Sequence, residues 1–283
     1  MLECWNIGRL GNEYQKGQEA RPFPVPIISS FHYSIIPGNE LMVILEGKGL
    51  TKYFRGLSAL QSVDFKVEEG SITGLIGPNG AGKTTLFNLI SGVFSPNQGT
   101  TTFRDINITH LRADRICHLG ISRTYQLIRP FLGLSVLKNA LVGIYYGRDK
   151  SISTKKAEEE AWAILEFMDL SSKAPYRADQ LNTGERKRLE IARALGTNPR
   201  VLLLDEVIAG LNPSETATIM KKIESIRGKG VTVFMIEHVM KAVMGLSDKV
   251  IVLHHGEKIA EGTPQEVSVH SRVMEAYLGE KRI

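Results

Sequence analysis

Nine consecutive residues, Gly77, Pro78, Asn79, Gly80, Ala81, Gly82, Lys83, Thr84 and Thr85, contain the pattern G-x-x-x-x-G-K-[ST], through Gly77, Gly82, Lys83 and Thr84. Glycines at 77, 80 and 82 let the backbone fold tightly, so that successive N–H groups and the start of a following helix face one point. Partial positive charge is concentrated there, which suits a phosphate. Lys83 would reach the β- and γ-phosphates of a nucleotide. The Thr84 hydroxyl would coordinate a Mg²⁺ that bridges phosphate oxygens, and Thr85 would add a contact. A glycine-rich turn with an exposed lysine is the plain alternative. The apolar SITGLIG before the loop argues against it, as do Leu86, Leu89, Ile90 and Val93 at helical spacing after it, with Gly92 helping to end that helix. A second pair, Asp205 and Glu206, closes the run VLLLDE, where carboxylates emerge at the carboxyl end of a parallel sheet. Asp205 is a candidate Mg²⁺ partner, and Glu206 a candidate base that polarises water for attack on the γ-phosphate. Alone, such a pair reads equally well as a solvated turn or a helix cap; following a phosphate loop, it gains weight.

These residues need a sheet with helices to hold them, and the pattern supplies one. From Leu41 the chain reads LMVILEGKGL, VDFKVEEG and SITGLIG, a small antiparallel sheet leading into a core strand. Residues from about 111 to 178 are rich in helix formers, and in STKKAEEEAWAILEFMDL the residues Ala161, Leu165 and Met168 can line one face, which predicts a helical subdomain. RVLLLDE, VTVFMIE and KVIVLHHG are short apolar runs separated by a helix-like segment, as in a mostly parallel sheet covered by helices. Asn212, Pro213 and Glu215 predict a helix start with proline at its first position and a capping box. His254 and His255 read as hairpin residues.

Composition excludes several classes. The chain has 283 residues, 42% hydrophobic and 23% charged, with a mean hydropathy of −0.08, which is ordinary for a folded chain. No segment approaches the ~18 to 20 uninterrupted apolar residues of a membrane span. The net charge of +5 is scattered rather than gathered into a tract, so no nucleic-acid partner is expected. Cys4 and Cys117 are too few for a disulfide framework and fit a reducing compartment. Residues 1–41, with Pro22, Pro24, Pro26 and Pro37, sustain no period and read as a loose, disordered extension or a mis-assigned start, with Met42 as the natural beginning.

LNTGERKRLEIARAL, Leu181 to Leu195, resembles the signature segment of ATP-binding cassette (ABC) transporter subunits, and with the glycine loop and the acidic pair the resemblance runs from Met42 to the C-terminus. It implies an α/β P-loop NTPase (ABC ATPase) core with a small antiparallel β subdomain, an inserted helical subdomain and a tail from about residue 261 to 283. The implied activity is ATP hydrolysis with Mg²⁺ by a head-to-tail dimer, in which Asn182, Thr183, Gly184 and Glu185 of one subunit cap the ATP of the other. Asn182 and Glu185 stand where the family usually has serine and glutamine; asparagine retains an amide donor. Phe54 resembles the aromatic that stacks on adenine, with Tyr53 as an alternative. Gln126 resembles the glutamine that senses Mg²⁺ and the γ-phosphate, and His238 the switch histidine that helps fix the attacking water. Ala209 to Asn212 would touch the opposite subunit.

Three segments resemble the branched-chain amino acid importer type: GISRTYQLIRPFLGLSVLKNALVG, DEVIAGLNPSE and IAEGTPQEVSVHSRVMEAYLGE. That resemblance implies transmembrane permease subunits contacted through the segment after Gln126, including Arg129 to Leu134, a second cassette, identical or different, and indirectly a solute-binding protein. The chain would sit peripherally on the cytoplasmic face of the plasma membrane. A lipopolysaccharide-export ATPase is the alternative, since it shares a Glu-containing signature. A soluble non-transport ABC protein is a further one, disfavoured by a single glycine loop and the lack of heptads between Lys83 and Asp205.

Overall fold

The computed structural model describes residues 42–126, 130–148 and 151–278. The extension 1–41 and the end of the tail, 279–283, lie outside them. The chain opens with the antiparallel pair β1 (Val43–Phe54) and β2 (Leu57–Glu68), followed by β3 (Ile72–Ile76) and α1 (Lys83–Ile90). Next come β4 (Gln98–Phe103), β5 (Ile106–Asn107), α2 (Ala113–Leu119) and β6 (Ile121–Arg123). Three helices follow, α3 (Val136–Tyr146), α4 (Thr154–Phe167) and α5 (Thr183–Gly196). The chain then alternates through β7 (Val201–Asp205), α6 (Pro213–Gly228), β8 (Thr232–Ile236), α7 (Met240–Leu246), β9 (Lys249–His254) and β10 (Glu257–Gly262). Two short helices, α8 (Pro264–Ser268) and α9 (Ser271–Leu278), close it.

Two sheets result. One is four-stranded and antiparallel in the order β2-β1-β4-β5; the other is six-stranded in the order β10-β9-β3-β8-β7-β6, parallel except for its edge pair β9–β10. This is the expected P-loop architecture. Each antiparallel hairpin turns on two residues of positive φ: Arg55 and Gly56, Arg104 and Asp105, His255 and Gly256. That geometry matches the twist of the flanking strands, and it puts His254 and His255 in the hairpin predicted for them.

β3, β7 and β8 are buried at every position because both faces are covered. Their residues alternate between two cores. Leu202, Leu204, Val233 and Met235 meet α3, α4, α5 and α6, whereas Val201, Leu203, Phe234 and Ile236 meet α1 and the antiparallel sheet. Phe234 stacks between Phe65 of β2 and Phe87 of α1 at ring-centroid distances of 5.7 and 5.1 Å. The small sheet is thus packed onto the large one through the helix that follows the phosphate loop. Ala161, Leu165 and Met168 are fully buried, as the α4 stripe requires.

Two details differ from expectation. α1 ends at Ile90, the chain turns at Gly92 (φ 70°), and Val93 stands 44% exposed instead of extending the helix face. The block 111–178 also encloses β6, which pairs in parallel with β7 in the main sheet. The helices α3 and α4 pack instead on α5, beyond that block. Among the described residues no helix is long and apolar enough to cross a membrane.

Candidate functional site

The carboxyl ends of β3, β7 and β8 and the segment after β6 bring the site together, as expected where parallel strands open a crevice. Gly77 leaves β3 at φ 149°, and a β-carbon there would lie 2.0 Å from the Leu253 carbonyl oxygen, so the loop can seat on β9 only with glycine. The β9–β10 turn backs it, with the Gly256 N–H donating to the Ala81 carbonyl at 3.1 Å. Lys83 is buried, and its ammonium arches over the loop to donate to the carbonyls of Gly77 (2.6 Å) and Pro78 (2.8 Å). Thr84 and Thr85 occupy the first turn of α1, which carries no acidic residue, so nothing opposes an anion at this helix start.

Asp205 and Glu206 differ in environment despite adjacency. Asp205 is buried; its N–H donates to Thr124 Oγ1 at 3.0 Å, and its Oδ2 accepts from Arg123 Nη2 at 2.7 Å. Burial pushes its carboxyl up, against the pull of Arg123 and Lys83. Its Oδ1 is buried with no hydrogen-bond partner among the described residues. An unpartnered carboxylate oxygen and the Thr84 hydroxyl are hard oxygen donors of the kind Mg²⁺ takes, with phosphate and water completing its shell. No group of three or more His, Cys, Asp or Glu that could hold a metal by itself occurs among the described residues.

Glu206 adopts φ 53°, a left-handed conformation uncommon for a non-glycine residue, held by its N–H to the Ile236 carbonyl at 2.9 Å. Its carboxylate is gripped on both sides: Oε2 accepts from Gln126 Nε2 at 2.9 Å, and Oε1 lies 2.6 Å from His238 Nε2. Three residues separated by up to 112 positions in sequence therefore converge on one carboxylate. The Arg129 to Leu134 segment begins outside the described residues; within it, Phe131 and Leu132 are about half exposed.

Asn182 caps α5, accepting the Glu185 N–H at 2.8 Å through Oδ1 while Glu185 Oε2 accepts the Asn182 N–H at 2.9 Å. Both unusual signature residues take part in a reciprocal capping box, as a serine and a glutamine at these positions could, and the amide of Asn182 keeps a donor in Nδ2. Thr183 opens the helix beside them. A β-carbon on Gly184 would meet Glu215 Oε1 at 2.6 Å, because the starts of α5 and α6 abut. α6 carries the predicted box between Asn212 and Glu215. Phe54 is 38% exposed and meets Phe94 edge-on at 5.3 Å, with Lys52 over both rings. Tyr53 is also exposed. Phe94 was not singled out from the sequence, since an aromatic after a helix has no distinguishing pattern.

Three buried charges behind the site also escaped the sequence reading. Lys187 donates to the carbonyls of Glu206 (3.0 Å) and Ala209, Glu190 accepts the Tyr125 N–H at 2.9 Å, and Glu237 accepts the Ile208 N–H at 2.8 Å. α5 thus braces the segments on either side of the carboxylate that it does not itself touch. Glu237 carries a sequence signal, a charge closing the apolar run VFMIE, whereas Lys187 and Glu190, in GERKRLEI, carry none. Burial holds the Lys187 ammonium below its usual range and raises the Glu190 carboxyl.

Burial raises Glu237 to about 7 from 4.5, with Glu206 adding to the rise and Lys187 opposing it. The folded chain therefore keeps a proton that the unfolded chain has lost over this window. The resulting stability is full below 4.5 and disappears as pH rises through about 7. Glu237→Gln, which cannot ionise, is expected to melt higher than the parent by a margin that is wider near about pH 8 than near about pH 5. Thermal melts at the two pH values check this, and equal margins contradict it.

Comparison with known proteins agrees with this fold. A family model described as ABC transporter matches residues 60–209, and one described as branched-chain amino acid ATP-binding cassette transporter matches 257–282. The chain is 40% identical to the high-affinity branched-chain amino acid transport ATP-binding protein LivG of Salmonella typhimurium, over 84% of this chain and 98% of that one. A solved ABC transporter cassette in its ADP conformation superposes with a TM-score of 0.78 at 35% identity, covering 84% of this chain and 99% of that one. A dimeric bacterial ABC transporter cassette gives 0.72 at 25% identity over 78% and 98%. With the phosphate loop, the acidic pair and the capped signature helix in place, the chain belongs to the ATP-binding cassette family of ABC transporters, in its LivG-like branch, and is an ATP-binding and ATP-hydrolysing subunit.

Proposed function

We propose that this subunit powers uptake of branched-chain amino acids through partner permeases, working peripherally at the cytoplasmic face of the plasma membrane. The grip of Gln126 and His238 on Glu206 carries the catalytic part of this reading. Glu206 takes a proton from the attacking water, His238 orients that water, and Gln126 links the site to the permease-facing segment that follows it. The phosphate loop from Gly77 to Thr85 and Phe54 hold the nucleotide. Thr84, Asp205 and Gln126 would hold Mg²⁺, which would supply charge neutralisation at the phosphates.

Two cassettes pair head to tail, and Asn182, Thr183, Gly184 and Glu185 cap the partner's ATP. The Nδ2 of Asn182, which the capping box does not use, and the dimeric relative support this arrangement. ATP closes the pair and hydrolysis reopens it, driving the permeases. The solute class rests on the LivG-type relatives and the C-terminal match, which lend no support to lipopolysaccharide export.

Affinity capture of the chain from solubilised native membranes is expected to recover two permeases and a second cassette, identified by mass spectrometry. A solute-binding protein acts upstream and need not be retained. Recovery of lipopolysaccharide-export permeases, or of ribosomal or DNA-associated partners with no permease, would overturn the solute assignment.

A further inference from the structure

Arg123 is the last residue of β6, and its side chain is 4% exposed. Its Nη2 donates to Asp205 Oδ2, while Nη1 donates to Asn88 Oδ1 at 2.6 Å and to Ser91 Oγ at 3.2 Å. The ring of Phe87 lies 5.6 Å from its central carbon and that of Tyr125 lies 5.0 Å from it. Asn88 lies on α1, the helix that begins with Lys83 and Thr84, and Ser91 caps its end. One planar cation therefore ties the helix behind the phosphate loop to the carboxylate at the end of β7.

The hydroxyl of Thr124, the residue after β6, accepts the Asp205 backbone N–H, so side chain and main chain of Asp205 are fixed by two consecutive residues at the end of that strand. With Oδ2 engaged, a rotation of the carboxylate would break a buried, charge-assisted bond, and Oδ1 is the one oxygen left without a partner among the described residues.

We infer that Arg123 is a positioning residue for Mg²⁺: it locks the Asp205 carboxylate so that Oδ1 is presented at a fixed height relative to Thr84. The inference rests on the assignment of Asp205 to the metal. A rotationally free carboxylate must be ordered when the ion binds, and partners that orient metal ligands typically contribute about 10- to 100-fold in metal affinity. A salt bridge that merely tied β6 to β7 would affect folding without distinguishing nucleotide with metal from nucleotide without it.

The test is binding of a fluorescent ATP analogue to the full chain, titrated with Mg²⁺ and repeated in EDTA. Arg123→Met is expected to raise the Mg²⁺ concentration for half-saturation by about tenfold or more, with affinity in EDTA unchanged. Arg123→Lys, which keeps the charge but loses the planar fork that also reaches Asn88 and Ser91, is expected to fall between the parent and Arg123→Met. Should Arg123→Met fail to fold, Asn88→Ala removes an anchor of the guanidinium without removing its charge, and a shift of about threefold in the same direction is expected.

Unchanged Mg²⁺ dependence in a folded Arg123→Met chain, or in Asn88→Ala where that variant stands in, would overturn the inference, as would equal losses with and without Mg²⁺. Asp205→Asn separates the two levels. If it shifts the Mg²⁺ dependence and Arg123→Met does not, only the role of Arg123 fails; if it shifts nothing, the metal assignment of Asp205 fails and the inference with it.

Discussion

Glu206→Gln is expected to slow ATP turnover by about 10³-fold while leaving ATP binding nearly intact. Loss of a positioned base typically costs 10² to 10⁴ in rate. The amide has the shape of the carboxylate, and its oxygen can still accept from Gln126 while its nitrogen faces His238, so both grips on the side chain survive. What disappears is the capacity to take a proton from water. Phosphate release by the variant in the presence of permeases, set beside nucleotide binding, checks this. Turnover near the parental rate would move the base elsewhere, with His238 the first residue to test.

Lys83→Ala acts one step earlier, on binding. The ammonium is already held over the loop by two carbonyl oxygens, so little side-chain freedom remains to be lost when a phosphate arrives. A hydrogen bond to a charged group contributes roughly 1.5 to 3 kcal/mol, which corresponds to an ATP affinity about 10- to 100-fold weaker in the variant. Calorimetric titration with ATP measures it. An affinity within about twofold of the parent, with the melt of the protein unchanged, would contradict a phosphate role for Lys83. The contrast between the variants is diagnostic: one binds without turning over, the other binds poorly.

The phosphate loop, the acidic pair, the capped start of α6 and the strand–helix alternation were all legible in the sequence, whereas the capping box between Asn182 and Glu185 at the start of α5 emerged only from the structure. Each legible feature depends on residues within one or two turns of one another: glycines where φ is positive, an Asn with a Glu three positions on, apolar runs of strand length. The end of α1 was less legible, because Val93 continues the apolar period while the chain turns at Gly92. β6 was absorbed into a helical block for a similar reason. Three residues are too few to show a period of two, and the strand is defined by its pairing with β7.

The sequence by itself determined the nucleotide chemistry, since backbone donors, lysine and carboxylates at those spacings are local properties of the chain. Only the tertiary structure decided which groups meet. Gln126 and His238 reach the same carboxylate because β6, β7 and β8 are neighbours in the parallel sheet and release their ends at one edge. Arg123, Lys187 and Glu190 look like ordinary surface charges in one dimension, and Glu237 is marked only by the apolar run it closes. They become braces of the site because the sheet and α5 bury them, and a buried charge must find partners wherever the fold has placed them.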